Sequence, residues 1–136
     1  MLNRIIVMGR MTRDPELRRT NSGTAVASFT VAVDRDFKSQ SGEKETDFID
    51  VVAWRNTAEF ASKYFSKGRM AVVEGRLQIR DWTDKDGNKR RSYEVQADSV
   101  YFADSRAGNS ARVQNAAEGA TDGFAEVSED DGELPF

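Results

Sequence analysis

The row Phe48, Asp50, Val52, Trp54 places side chains able to do chemistry where a folded core does not ask for them. Residues 46–54, Thr-Asp-Phe-Ile-Asp-Val-Val-Ala-Trp, are rich in β-branched and aromatic types and read as a strand. Side chains alternate across a strand. Ile49, Val51 and Ala53 therefore form an apolar row fit for a core, and the opposite row carries an aspartate between two aromatics. A row with an aspartate in it faces water or something wet. Phe48 and Trp54 stand about 20 Å apart along it. Rings exposed at that spacing suit stacking against a flat ligand such as a nucleobase. They equally suit a Trp54 that covers the side of the core or packs in a subunit interface.

Other chemistries are narrowed by what is missing. The 136 residues contain no Cys and no His. That removes disulfides, thiolate or imidazole zinc sites, and Ser-His or Cys-His nucleophiles. No cofactor, metal or catalytic residue is expected. The opening apolar run Ile5-Ile6-Val7-Met8 is too short for a signal peptide core, and no stretch approaches transmembrane length. A soluble, intracellular protein with no membrane association is expected.

Several elements must position the aromatic row. Leu2–Met11 reads as a first strand with Ile5, Val7 and Met11 on one face and Ile6 and Met8 on the other. Apolar residues on both faces predict burial on both sides, by the core and by a partner subunit. Thr12–Thr24 reads as a polar, basic loop punctuated by Asp14-Pro15 and Ser22-Gly23. Ala25–Val33 is the second strand, followed by a charged stretch and the loop Ser39–Gly42, with Phe37 outside the strand pattern. The one clear helix is expected over Thr57–Lys67, with Asn56 as N-cap, Glu59 completing a capping box, Lys63 and Lys67 at the C-terminal end and Gly68 beyond it. Its Phe60, Tyr64 and Phe65 fall at core spacing.

Met70–Trp82 is a long strand. Ala71, Val73, Leu77 and Ile79 form its core row, and Gly75 marks a bend. The opposite row, Glu74, Arg76, Gln78, Arg80, Trp82, repeats the theme of an aromatic beside cations. An Asp86-Gly87 turn leads into a fifth strand, Arg90–Ala97, with Tyr93, Val95 and Ala97 inward; Val100 and Phe102 close the domain. An all-β chain of five strands, with one helix between strands three and four, points to a five-stranded Greek-key barrel, the OB-fold.

Charge is distributed unevenly. Residues 1–104 carry 18 Lys+Arg against 16 Asp+Glu, whereas residues 105–136 carry 2 against 7. The composition of 105–128 is Ala-, Gly-, Asn- and Ser-rich, as in a flexible, disordered linker, and 129–136 is an acidic tip ending Leu134-Pro135-Phe136.

Asn3-Arg4-Ile5 through Gly9-Arg10, Asp14-Pro15-Glu16-Leu17-Arg18, the 48–54 strand, Lys67-Gly68, Val73-Glu74-Gly75-Arg76-Leu77, Trp82-Thr83-Asp84 and the terminal Leu134-Pro135-Phe136 occur in an order and spacing that resembles the bacterial-type single-stranded DNA-binding proteins. The resemblance covers residues 1–104 as the OB domain, then linker and tip. It implies sequence-independent binding of single-stranded DNA in replication, recombination and repair, in the cytoplasm with the nucleoid, by a homotetramer that is not an enzyme. Carried over by position, the base-stacking residues are Phe37, Phe48, Trp54 and Trp82. Arg18, Arg35, Lys38, Arg55, Lys67, Arg76 and Arg80 are candidates for phosphate contacts. Asp50 and Asp81 add negative charge beside the aromatic track and lower the electropositive field expected there. The tip resembles the family's partner-binding motif, with Gly132 and Leu134 as variations. Asp130, Asp131, Glu133, Leu134, Pro135 and Phe136 would recruit replication, recombination and repair proteins. A module for structured RNA, or an adaptor contacting mainly protein, is the alternative.

Overall fold

Alternation of apolar residues builds the framework. In the computed structural model, which describes residues 1–104, the strands are β1 (Ile5–Met11), β2 (Glu16–Arg19), β3 (Ala25–Lys38), β4 (Lys44–Trp54), β5 (Met70–Thr83) and β6 (Lys89–Phe102), with helix α1 (Arg55–Tyr64) between β4 and β5. The strand order is β1-β5-β6-β4-β3-β2, and an additional β1–β3 pairing closes five strands into a barrel. All pairings are antiparallel except β4–β6. This is the expected OB-type barrel, with the helix between its third and fourth strands. Alternate residues of β3, β4, β5 and β6 supply the core: Ala27, Phe29, Val31, Val51, Ala53, Ala71, Val73 and Val95 are buried, and Ala58, Ala61 and Phe65 close it from the helix side. No helix among the described residues is long and apolar enough to cross a membrane.

Several local expectations are corrected. The loop 12–24 contains β2, an exposed four-residue strand laid along β3. β1 begins at Ile5. Before it, the Asn3 side chain brackets the Leu77 backbone, donating to its carbonyl at 2.8 Å and accepting from its N–H at 3.0 Å, so a side chain continues the ladder. The helix starts two residues early, directly from β4. Trp54 is the N-cap, in extended conformation and without a side-chain cap bond, so the box of Asn56 and Glu59 does not form. Arg55 makes the reversal with φ at +55°, the left-handed region that non-glycine residues rarely adopt. Lys67 lies beyond the helix end and only Lys63 occupies the last turn.

The expected core row of the fourth barrel strand ends at the bend. The β5–β6 register shifts between Glu74 and Gly75, and a Cβ on Gly75 would lie 2.0 Å from the Gln96 carbonyl oxygen. Only glycine permits that approach. Past it, β5 and β6 outrun the barrel as a two-stranded arm. Leu77, Ile79 and Tyr93, expected inward, are exposed because no opposing layer reaches them. Phe60 packs partly on the core, while Tyr64 is half-exposed. Phe102 is also half-exposed, though its ring stacks on Phe65 at 4.6 Å between centroids.

Candidate nucleic-acid interface

Residues paired across a ladder share a face, and the register of three strands assembles one surface. Val52 pairs with Gln96, which pairs with Arg76; Asp50 pairs with Glu94, which pairs with Gln78; Ser92 pairs with Arg80 and Arg90 with Trp82. Phe48 and Trp54 continue the Asp50–Val52 row on β4. Since Val51, Ala53 and Val95 point into the core, this surface is the barrel's outside. The two separate aromatic rows read from the sequence are thus one platform, with β6 as its central strip.

The rings on it are exposed to different degrees. Trp54 and Trp82 are each 45% exposed, Phe48 68% and Phe37 85%. Both tryptophans have their single polar atom occupied. Trp54 Nε1 donates to Gln96 Oε1 at 2.9 Å, and Trp82 Nε1 donates to Ser92 Oγ at 2.8 Å. Phe37 lies within β3, which runs on to Lys38, instead of outside the strand pattern. The β3–β4 register is irregular between Asp34 and Lys38, so the ladder does not carry Phe37 onto the Phe48 row.

The expected phosphate contacts divide into two groups. Arg35 is engaged by Asp47, with Nε–Oδ2 at 3.0 Å and Nη2–Oδ1 at 2.9 Å, and by Glu45. Donating to Asp47 raises the Arg35 pKa, and accepting from Arg35 lowers that of Asp47, the signature of a mutually satisfied pair. Arg80 lies 3.8 Å from Glu94 and Arg18 lies 3.7 Å from Glu16. Lys38, Arg55, Lys67 and Arg76 have no ion pair among the described residues. Arg55 and Arg76 line one cleft with Trp54, Thr57, Gln96 and Asp98. Lys67 sits in the turn after α1, its backbone N–H bonded to Asp14 Oδ1 at 2.8 Å; no described contact joins it to the platform.

The carboxylates expected to weaken the field are themselves engaged. Asp50 accepts from Thr30 Oγ1 at 2.8 Å, and Asp81 from Arg91 Nε at 2.7 Å, which raises the Arg91 pKa. Around Trp82 a cleft of about 660 Å³ is lined by Asp81, Thr83, Lys89, Arg90 and Arg91. The run Lys89-Arg90-Arg91 was not among the expected contacts. Its legible signal is three consecutive cations soon after the turn, of which Arg90 pairs with Trp82 and shares its face. The tip residues 129–136 and the linker lie outside the described residues.

Comparison with known proteins agrees with this geometry. Residues 2–103 match the model of the single-strand binding protein family. Single-stranded DNA-binding protein 2 of Listeria innocua is 49% identical over 121 residues, covering 89% of this chain and 71% of the relative. A single-stranded DNA-binding protein of Staphylococcus aureus is 50% identical over 109 residues, 80% of this chain and 70% of the relative. Single-stranded DNA-binding protein A of Bacillus subtilis is 50% identical over 108 residues, 79% of this chain and 63% of the relative. The chain belongs to the single-strand binding protein family.

Proposed function

We propose that this chain binds single-stranded DNA without sequence preference, and acts by binding and not by catalysis. The observation that carries this reading is the single outer platform on which Phe48, Trp54 and Trp82 lie with Arg76, Arg80 and Arg90. Every base has a π face, so stacking tolerates any sequence at about 1–3 kcal/mol per base. Arg55 and Arg76, which have no ion pair among the described residues, and the run 89–91 suit phosphates and make affinity fall with salt. Titration with oligonucleotides tests it. Single-stranded DNA of any composition should quench tryptophan fluorescence and bind far more tightly than duplex. Equal affinity for duplex, or no quenching, overturns it.

The same reading extends to assembly and partners. Ile6 and Met8 are exposed on β1, and the register row Met8–Val72–Tyr101 continues that apolar face across β5 and β6. This supports self-association, as a homotetramer by family resemblance, checked by mass in solution. The tip, with Asp130, Asp131, Glu133 and the terminal Leu134-Pro135-Phe136, has the composition of an acidic docking segment ending in an apolar anchor. It would recruit proteins of replication, recombination and repair in the cytoplasm. Deleting 130–136 should leave DNA binding equal or tighter, since a competing anion is lost, while abolishing partner recovery; unchanged recovery makes the tail merely solubilising.

A further inference from the structure

The central strip of the platform carries side chains with a shared task. Ser92, Glu94 and Gln96 alternate along β6 and therefore point the same way, between the rows of β4 and β5. Each takes a group from a neighbouring strand. Ser92 accepts the indole N–H of Trp82, Gln96 accepts that of Trp54, and Glu94 faces Arg80. The two indole bonds reach β6 from opposite sides, one across the antiparallel β5–β6 ladder and the other across the parallel β4–β6 ladder. Trp82 is paired with Arg90 and leans to Ser92, two residues on; Trp54 lies two residues beyond Val52, the partner of Gln96. Both are diagonal contacts, in reach of a long aromatic side chain. Gln96 is the one buried polar residue among the described residues, 8% exposed, so its amide is held by the barrel wall and has little freedom of its own.

We infer that Ser92 and Gln96 are positioning residues for base stacking: they tie the N–H edge of each tryptophan to β6 and fix the angle at which the ring face meets a base. The inference rests on the binding reading above and deepens it. An unheld indole on a sheet surface must lose rotamer freedom when a base docks. A held one has lost it already, and pre-organisation of this kind appears as affinity. The bond also satisfies the ring's only donor, so what remains exposed is carbon, the part that stacks. Phe48 and Phe37 have no such handle and are the more exposed rings.

The test is a double-mutant cycle read by single-stranded DNA affinity. Gln96→Leu should weaken binding by about two- to ten-fold, the worth of one net hydrogen bond. In a Trp54→Phe background, which has no indole N–H, the same change should add no further loss. Ser92→Ala should behave likewise with Trp82, Ser92→Thr should restore binding, and steady-state anisotropy of the unbound protein's tryptophan emission should fall in Ser92→Ala and recover in Ser92→Thr. Equal losses in the Trp54 and Trp54→Phe backgrounds, or parental binding and anisotropy in Ser92→Ala, overturn the inference. Should Gln96→Leu fail to fold, the Ser92 pair decides alone. A parent that does not bind single-stranded DNA brings down the binding reading instead, and the anisotropy comparison still decides whether β6 holds the rings.

Discussion

The two halves of β5 obey the same sequence alternation and end in different environments. From Met70 to Gly75 every second residue is buried; from Arg76 to Thr83 none is. Ala71 and Val73 have a barrel opposite them, whereas Leu77 and Ile79 share their phase and project from a two-stranded arm. Alternation specifies which residues share a face, and burial additionally requires a second layer. The same division separates the two tryptophans. Trp54 stands on the barrel wall against a buried glutamine. Trp82 stands on the arm, where it bonds Ser92 and where the Asp81–Arg91 and Asp84–Arg90 pairs at 2.7 and 2.9 Å and the longer Arg80–Glu94 pair also cross. One platform is thus anchored at one end and carried on an outrigger at the other.

The widest gap between the halves should appear in stability. Phe29→Ala empties the barrel centre and should cost about 3–5 kcal/mol. Ile79→Ala removes a half-exposed side chain on the arm and should cost within about 0.5–1 kcal/mol. Chemical denaturation of both checks this, and a comparable loss at Ile79 would mean that another layer covers the arm in solution. The join is the next most sensitive place. Gly75→Ala sets a Cβ against the Gln96 carbonyl, a backbone atom that cannot swing aside, and should cost about 3 kcal/mol by forcing the strands apart. Gly87→Ala in the arm's turn, where φ is +79° and the space is open, should cost only about 1 kcal/mol.

How much of this was legible follows from the same division. The barrel's rows at 49–53 and 71–73, the Asp86-Gly87 turn and the bend at Gly75 all follow from local rules of alternation and turn chemistry. The exposure of Leu77, Ile79 and Tyr93 does not, because it depends on where the opposing strands stop. The outer aromatic row was legible at Phe48, Trp54 and Trp82 through an aspartate and arginines in the same phase. Its supports at Ser92 and Gln96 were not, because β6 lies beside β4 only after closure across about forty residues. The occupied state of Arg35 escaped for a nearer reason: Glu45 and Asp47 lie on the facing strand of the β3–β4 hairpin, whose register is irregular there. Asn56 had the right composition for an N-cap, but β4 passes into α1 through Trp54 and Arg55 before reaching it.

Binding should divide the two ends less in size than in side effects. Trp54→Ala and Trp82→Ala should each weaken single-stranded DNA binding by about 1–3 kcal/mol, and Phe48→Ala by a similar amount. Trp54→Ala should also lower thermal stability, since it strands the Gln96 amide oxygen in a nearly buried place, a loss of about 1–3 kcal/mol. Trp82→Ala should leave the melting temperature close to the parent's, its partner being a hydroxyl within reach of water. Calorimetry beside the titrations separates the two. Equal melting temperatures would put Trp54 on the same footing as the arm.

Acid should part the halves most subtly. Asp84 and Asp104 both have carboxyl pKa values below the ordinary 3.8, Asp84 chiefly through its bond from Arg90 and Asp104 chiefly through Arg69, which it holds at 2.9–3.1 Å. A lowered folded-state value means the stabilisation is whole above pH 3.8 and drains away as pH falls through the lowered value. Asp104 ties Arg69 and the Met70 N–H to the last strand of the barrel, so its protonation should be read in global unfolding, and Asp104→Asn should flatten the acid limb of the melting curve. Asp84 accepts the Asp86 and Asn88 N–H groups in the turn of the arm. Its protonation should move those two amide resonances below pH 3.8 while the melting temperature of Asp84→Asn tracks the parent, because a turn with no core behind it can loosen without unfolding the barrel. An acid limb flattened equally by both substitutions would show the arm to be part of the cooperative unit, and the outrigger would then be as firmly held as the wall.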